Sequence, residues 1–145
     1  MSLEQLDSLY REVILEHFKH PNRSGTLPNA TITTEGANPL CGDELGFSLR
    51  LGGGTIQQIR FQGKGCAISQ AAASMLADQL EGKTPQHASE VIEAMKGLMQ
   101  GREPDSSIDL GDLEALAGVR KFPVRVKCAA LSWHVVEEAL EHLGE

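Results

Sequence analysis

The fold is decided by residues 45–82, LGFSLRLGGGTIQQIRFQGKGCAISQAAASMLADQLEG, where the periodicity changes from that of strands to that of a helix. Apolar residues alternate with other residues at the start of this stretch, as in a half-buried strand. The glycines at 52–54 predict a flexible turn, and residues 56–61 are typical of the returning strand. Ile56 and Ile59 are three residues apart, so in a regular strand their side chains would point to opposite faces. We therefore predict a β-bulge between them.

The second half of this stretch has the composition of a helix. It is rich in Ala, Leu, Met and Gln from Cys66 to Glu81, and Gly82 is suited to cap the helix end. On either side of residues 45–82, the sequence predicts a strand near residues 30–34 and helices at residues 3–19, 84–100 and 128–143. Chain breaks are predicted at Pro21 and Pro123. Residues 102–122 have loop composition, with one or two helical turns expected at residues 112–117. We expect an α+β fold: a small antiparallel sheet of about three strands with helices packed on one face.

The composition narrows the class of protein. A chain of 145 residues with 41% hydrophobic residues suits a single domain, residues 1–145. The net charge of -7 and the lack of a Lys/Arg cluster disfavour nucleic-acid binding. No apolar run approaches the roughly 18–20 residues that span a bilayer. Acidic residues among the first 20 are unlike a targeting peptide, so we expect a cytoplasmic protein.

Three cysteines carry the candidate chemistry, and their odd number argues against a disulfide framework. Cys41 lies in a tight turn, while Cys66 and Cys128 lie at predicted helix starts, where the helix dipole favours a thiolate. Taken singly, each has an ordinary alternative, such as a turn cysteine or a small core residue. Taken together, three thiolates at element ends suit zinc or iron–sulfur ligation, with Asp43 as a fourth, more exchangeable ligand.

Other polar residues near these cysteines are weaker candidates. Arg125, Lys64 and Lys127 are close in sequence to cysteines, where a positive charge could steady a thiolate or persulfide. A plain surface or partner-contact role is the favoured expectation for each of them. The five histidines are expected to have surface or structural roles: His17, His20, His87, His134 and His142.

Three segments resemble the cysteine motifs of the IscU/NifU-like family: NPLCGD at 38–43, GKGCAIS at 63–69 and VKCA at 126–129. The resemblance extends over essentially the whole chain. It implies an α+β domain that works beside a cysteine desulfurase in iron–sulfur cluster assembly.

Two departures from the scaffold members of that family point to its SufU branch. Lys127 stands where scaffold members commonly have a histidine that can ligate metal, and the segment at 102–122 is additional. The resemblance then implies a zinc-dependent sulfurtransferase in which Cys41, Asp43, Cys66 and Cys128 hold zinc and Cys41 accepts sulfur. The implied partners are a SufS-type desulfurase carrying pyridoxal phosphate and downstream cluster assembly proteins. The alternative is a scaffold on which the same side chains hold a [2Fe–2S] cluster; a purely structural zinc site is disfavoured by Asp43.

Overall fold

The structure is a computed structural model that describes residues 8–39 and 41–143. Four α-helices, three strands and one 3₁₀ helix follow one another in these ranges, in the order α1 (Ser8–Lys19), β1 (Ile32–Asn38), β2 (Asp43–Gly52), β3 (Thr55–Lys64), α2 (Ala67–Leu80), α3 (Pro85–Met99), the 3₁₀ helix (Gly111–Val119) and α4 (Pro123–Leu143). The predicted start of the first helix, residues 3–7, lies outside the described ranges. None of the described helices is long and apolar enough to cross a bilayer.

The sheet is antiparallel with the order β1-β2-β3, so β2 is its central strand. Gly53 and Gly54 form the β2–β3 turn with φ of 61° and 79°, values that glycine adopts without strain. Arg50 pairs with Gln58 but Leu51 pairs with Ile56, which leaves Gln57 as an extra residue on β3. The bulge predicted between the two isoleucines of β3 is therefore confirmed.

Helices α2 and α4 cover one face of the sheet, as the sequence predicted. The residues of β2 and β3 that point to this face are fully buried, among them Phe47 and Ile59. The approach of α4 is close, because a Cβ placed on Gly36 would lie 2.7 Å from Val135 Cγ2. On the opposite face, side chains such as Glu44 and Arg50 are exposed. The expected α+β class and its one-sided packing are confirmed.

The last helix differs from its predicted bounds. α4 begins at Pro123, five residues before the predicted start at Cys128. Proline has no N–H to donate and a fixed φ, which suits the first turn of a helix, so Pro123 begins the helix that it was expected to precede. Cys128 is consequently the sixth residue of α4 and not a residue of the helix start.

The segment before α4 is more regular than expected. Its 3₁₀ helix spans nine residues, where one or two turns within residues 112–117 were predicted. Its apolar side chains are buried against α1 and α2: Leu110, Leu113, Leu116 and Val119. Burial of this apolar surface gives a segment of loop-like composition an ordered backbone.

Side-chain caps and glycines mark the ends of α2 and α3. The Cys66 side chain caps α2, and Thr84 Oγ1 accepts a hydrogen bond of 3.0 Å from the His87 N–H at the start of α3. Gly82 and Gly101 follow the two helices with φ of 84° and 88°. Glycine tolerates this conformation, which explains why each helix ends where the sequence indicated.

Candidate metal centre

Cys41, Asp43 and Cys128 form a tight group in which the three potential ligand atoms lie within 4.8 Å of one another. They come from the β1–β2 loop, the first residue of β2 and the interior of α4. Asp43 and Cys128 are buried, whereas Cys41 is half-buried. The fold therefore brings together residues 87 positions apart in sequence, and their thiolate and carboxylate donors suit a zinc or iron site.

Asp43 is the strongest sign of a cation at this point. It is 1% exposed, and it forms no salt bridge with a lysine or arginine in the described part of the chain. Its Oδ1 accepts a hydrogen bond of 2.8 Å from the Cys66 N–H, and its Oδ2 lies 3.7 Å from Cys66 Sγ. A buried carboxylate with neutral partners is costly, and a metal ion would supply the missing positive charge.

Cys66 adjoins the tight group through Asp43. It is the N-cap of α2, where its Sγ accepts a hydrogen bond of 3.4 Å from the Ser69 N–H. The predicted thiolate-favouring position at a helix start is confirmed for this cysteine. Its Sγ is not part of the group held within 4.8 Å, so a fourth bond to a shared metal would require a small movement of this side chain.

Cys128 is held differently from the prediction. Because it lies inside α4, the argument from the helix N-terminus does not apply to it. Its Sγ lies 3.4 Å from the Val124 carbonyl oxygen and 3.9 Å from Nη1 of Arg125. A guanidinium one helical turn before the cysteine therefore supplies the positive charge that the sequence had assigned to the helix end.

The structure joins Cys41 and Cys128 as a disulfide, with Cα atoms 6.6 Å apart, and leaves Cys66 as the free cysteine. The odd number of cysteines had argued against a disulfide, so this pairing differs from the expectation. Two sulfurs that meet in this way can equally share one metal, although not while they are bonded to each other. Either state places Cys41 and Cys128 at the same point of the fold.

Cys41 lies on a short turn with polar neighbours. Gly42 has φ of 68°, which allows the backbone to reverse between Cys41 and Asp43 as the sequence predicted. Asn38 Nδ2 lies 3.6 Å from Cys41 Sγ, a contact suited to a thiolate. Sequence reasoning missed this role of Asn38, because Asn-Pro was interpreted as turn chemistry alone.

Gly65 is a second residue that sequence reasoning missed. A Cβ built on it would overlap Oδ1 of Asp43 and lie 2.9 Å from the Cα of Asp43. Its φ of 146° also disfavours other residues. The Gly-Lys-Gly pattern before Cys66 was the available signal: glycine is needed where a buried carboxylate approaches the backbone.

The exposure and the partners of the remaining cations and histidines distinguish their roles. Lys64 is exposed and pairs with Glu44 at 3.1 Å, and Lys127 is exposed on α4, so Arg125 is the cation beside a cysteine sulfur. His17 is buried, with Ser74 Oγ and Asp112 Oδ2 each 2.8 Å from a ring nitrogen, which is a structural role as predicted. No histidine belongs to the ligand group found among the described residues.

Comparison with known proteins gives consistent matches. The model of the NifU-like N-terminal domain family matches residues 9–129. The zinc-dependent sulfurtransferase SufU of Bacillus subtilis is 45% identical over 135 residues, which cover 93% of this chain and 91% of that protein. The iron–sulfur cluster assembly scaffold protein IscU of Streptococcus pyogenes is 36% identical over 141 residues, covering 97% and 88%. A solved structure from Fervidobacterium islandicum, described as an iron–sulfur cluster assembly scaffold protein for the SUF system (FiSufU), superposes with a TM-score of 0.84 and 37% identity, covering 89% of this chain and 94% of that one.

Proposed function

The chain belongs to the NifU-like N-terminal domain family, and from this membership and the geometry of its cysteines we propose that it is a zinc-dependent sulfurtransferase of iron–sulfur cluster assembly. The observation that carries the proposal is the group of Cys41, Asp43 and Cys128, with Cys66 beside Asp43. The similarity to a protein named as a zinc-dependent sulfurtransferase supports the same function.

Cys41, Asp43, Cys66 and Cys128 would hold the zinc ion. Three thiolates and one carboxylate fit zinc, and no histidine is needed. Bound zinc keeps its cysteine ligands deprotonated, so a nucleophilic thiolate is available near neutral pH. Asp43 and Cys128 are buried and lie on β2 and α4, which supports the proposal that they hold the metal.

Cys41 is proposed as the sulfur acceptor because it is half-buried and lies on a turn, whereas Asp43 and Cys128 are buried. Its thiolate attacks the outer sulfur of a persulfide on the donor protein. A new S–S bond forms to Cys41 Sγ as the donor's own S–S bond breaks, and the electron pair leaves with the donor's thiolate. Atoms and charges balance without an added oxidant or reductant, and Cys41 carries the sulfur onward as a persulfide.

Neighbouring residues support this step. Asn38 Nδ2, 3.6 Å from Cys41 Sγ, is placed to donate to the thiolate or to the persulfide that replaces it. Arg125, 3.9 Å from Cys128 Sγ, places a positive charge beside the anionic sulfurs. Charge of this sign favours the thiolate and persulfide forms over their protonated forms.

The donor in this proposal is a SufS-type cysteine desulfurase that carries pyridoxal phosphate, and the receivers are downstream cluster assembly proteins. The proposed compartment is the cytoplasm, because the three thiols must remain reduced to bind metal and accept sulfur.

Anaerobic purification followed by metal analysis and a visible spectrum tests the proposal. One zinc per chain and no visible absorption band are expected. Stoichiometric iron and sulfide with little zinc would instead identify a [2Fe–2S] scaffold; the relative from Streptococcus pyogenes is named an iron–sulfur cluster assembly scaffold protein.

A further inference from the structure

One stretch of this acidic chain is locally basic, which differs from the expected lack of a Lys/Arg cluster. Residues 115–136 contain no aspartate or glutamate, but they include Arg120, Lys121, Arg125 and Lys127. Since the net charge is -7, the rest of the chain carries -11, that is -7 less the +4 of these four residues. Arg120, Lys121 and Lys127 are exposed, and none of them forms a salt bridge within the described ranges. We refer to these three residues as the cationic surface.

The cationic surface borders the candidate metal centre. Val124 lies between its members in sequence, and the Val124 carbonyl oxygen is 3.4 Å from Cys128 Sγ and 3.9 Å from Cys41 Sγ. The Val124 side chain is 54% exposed, so the residue whose carbonyl oxygen faces the two sulfurs also presents an apolar group to solvent.

An open groove of about 520 Å³ adjoins the same region. It runs from the loop that carries Cys41 to the exposed side of α4. Its lining combines apolar side chains, among them Pro39, Met99, Val126 and Ala130, with the basic residues Lys96, Lys127 and His134. Lys96 is paired with Glu137 at 2.6 Å. Lys127 belongs both to the groove and to the cationic surface, so the two features are continuous.

We propose that the groove and the cationic surface together dock an acidic segment of the sulfur-donating protein. An apolar side chain of that segment lies in the groove, while its carboxylates pair with Lys121 and Lys127. The inference rests on the proposed function, which requires a donor to bring its persulfide to Cys41. Charge complementarity identifies the occupant: nucleic acid would be repelled by the -11 of the remaining chain, whereas a short acidic segment meets the basic surface alone.

Charge reversal tests this docking surface. The double variant Lys121→Glu/Lys127→Glu is titrated against the SufS-type desulfurase of the same organism, without cysteine, and the Kd is measured by calorimetry at low and high salt. The matched control is Arg50→Glu/Lys83→Glu, which makes the same change in net charge. Arg50 is near the end of β2 opposite Asp43, and Lys83 follows the end of α2 opposite Cys66, and both are exposed. Zinc content and melting temperature are recorded for every variant.

We expect the double variant to raise the Kd about tenfold or more at low salt, and the difference from wild type to shrink as salt screens the charges. The control should retain most of the affinity. Equal Kd values for wild type and the double variant, or an equal loss in the control, would overturn the proposal. Dimerisation of the wild type that the double variant abolishes, with desulfurase binding unchanged, would assign the surface to a second copy instead. Because binding is measured without sulfur transfer, this result can be interpreted even if Cys41 is not the sulfur acceptor.

Discussion

The substitution Gly65→Ala tests whether the site requires the space that glycine leaves beside Asp43. The added methyl group would overlap Oδ1 of Asp43 and lie 2.9 Å from its Cα, where ordinary contact begins at 3.4 Å. Asp43 must therefore recede by about 0.5 Å at its Cα and further at its carboxylate. Such a movement breaks the 2.8 Å hydrogen bond from the Cys66 N–H and moves a proposed metal ligand.

Two costs determine the size of the effect. A hydrogen bond to a charged group is worth about 1.5–3 kcal/mol. Placing alanine at a φ of 146°, a conformation adopted almost only by glycine, adds about 1–3 kcal/mol of backbone strain. We expect Gly65→Ala to lose about 2.5–6 kcal/mol of stability. Disturbing the support of a metal ligand should weaken zinc binding by about 10–100-fold.

The assay measures zinc affinity by competition with a coloured chelator, alongside urea unfolding. Gly101→Ala is the matched control, since Gly101 has φ of 88° and no atom within 4 Å of its built Cβ. It should show the backbone strain of about 1–2 kcal/mol with normal zinc affinity. Unchanged zinc affinity in folded Gly65→Ala would refute the argument that Gly65 makes room for the carboxylate of Asp43.

Three further predictions address the metal and the fold. Removal of zinc with a chelator should lower the melting temperature by several degrees, because the proposed ligands would tie β2, α4 and the start of α2 to one ion; an unchanged melting curve after confirmed removal contradicts this. Cys66→Ala and Cys128→Ala should each lose zinc and desulfurase stimulation together, which metal analysis and sulfide release measure; a variant that loses zinc yet stimulates fully would contradict this. Burial raises the pKa of Glu81, but hydrogen bonds from Arg23, Arg60 and a backbone amide outweigh it, so the pKa lies below its ordinary 4.5. Its stabilising contribution is therefore complete above pH 4.5 and is lost as the pH falls through the lowered value. The difference in melting temperature between wild type and Glu81→Gln should accordingly shrink in acid; a constant difference at all pH values would count against it.

The sheet and the central helices could be predicted because their signals are local. Alternating apolar residues and the glycines at 52–54 determine the β2–β3 hairpin, and Gly82 ends α2. The start of α4 could not be placed in this way, because a proline either precedes a helix or begins it. In the structure Pro123 is the first residue of α4, and the sequence pattern does not distinguish between these two positions.

Some features of the candidate site could likewise be predicted from local sequence, and others could not. The turn at Cys41 and the cap at Cys66 followed from the residues around them. The meeting of Cys41 with Cys128 joins positions 87 residues apart, and only the fold brings them together. The role of Gly65 likewise depends on the approach of Asp43, which belongs to a different strand from the residues that precede Gly65.

The central claim is that Cys41 receives the sulfur. The Cys41→Ala variant should keep part of its zinc, since three proposed ligands remain and water can fill the fourth position. It should nevertheless fail to stimulate the desulfurase, because no nucleophile is left to take the sulfur.

The most direct measurement is peptide mass spectrometry of the wild-type protein after one turnover with the desulfurase and cysteine, without added reductant. We predict one additional sulfur atom on the peptide that carries Cys41. An additional sulfur on the peptide of Cys66 or Cys128, with Cys41 unmodified, would contradict the account.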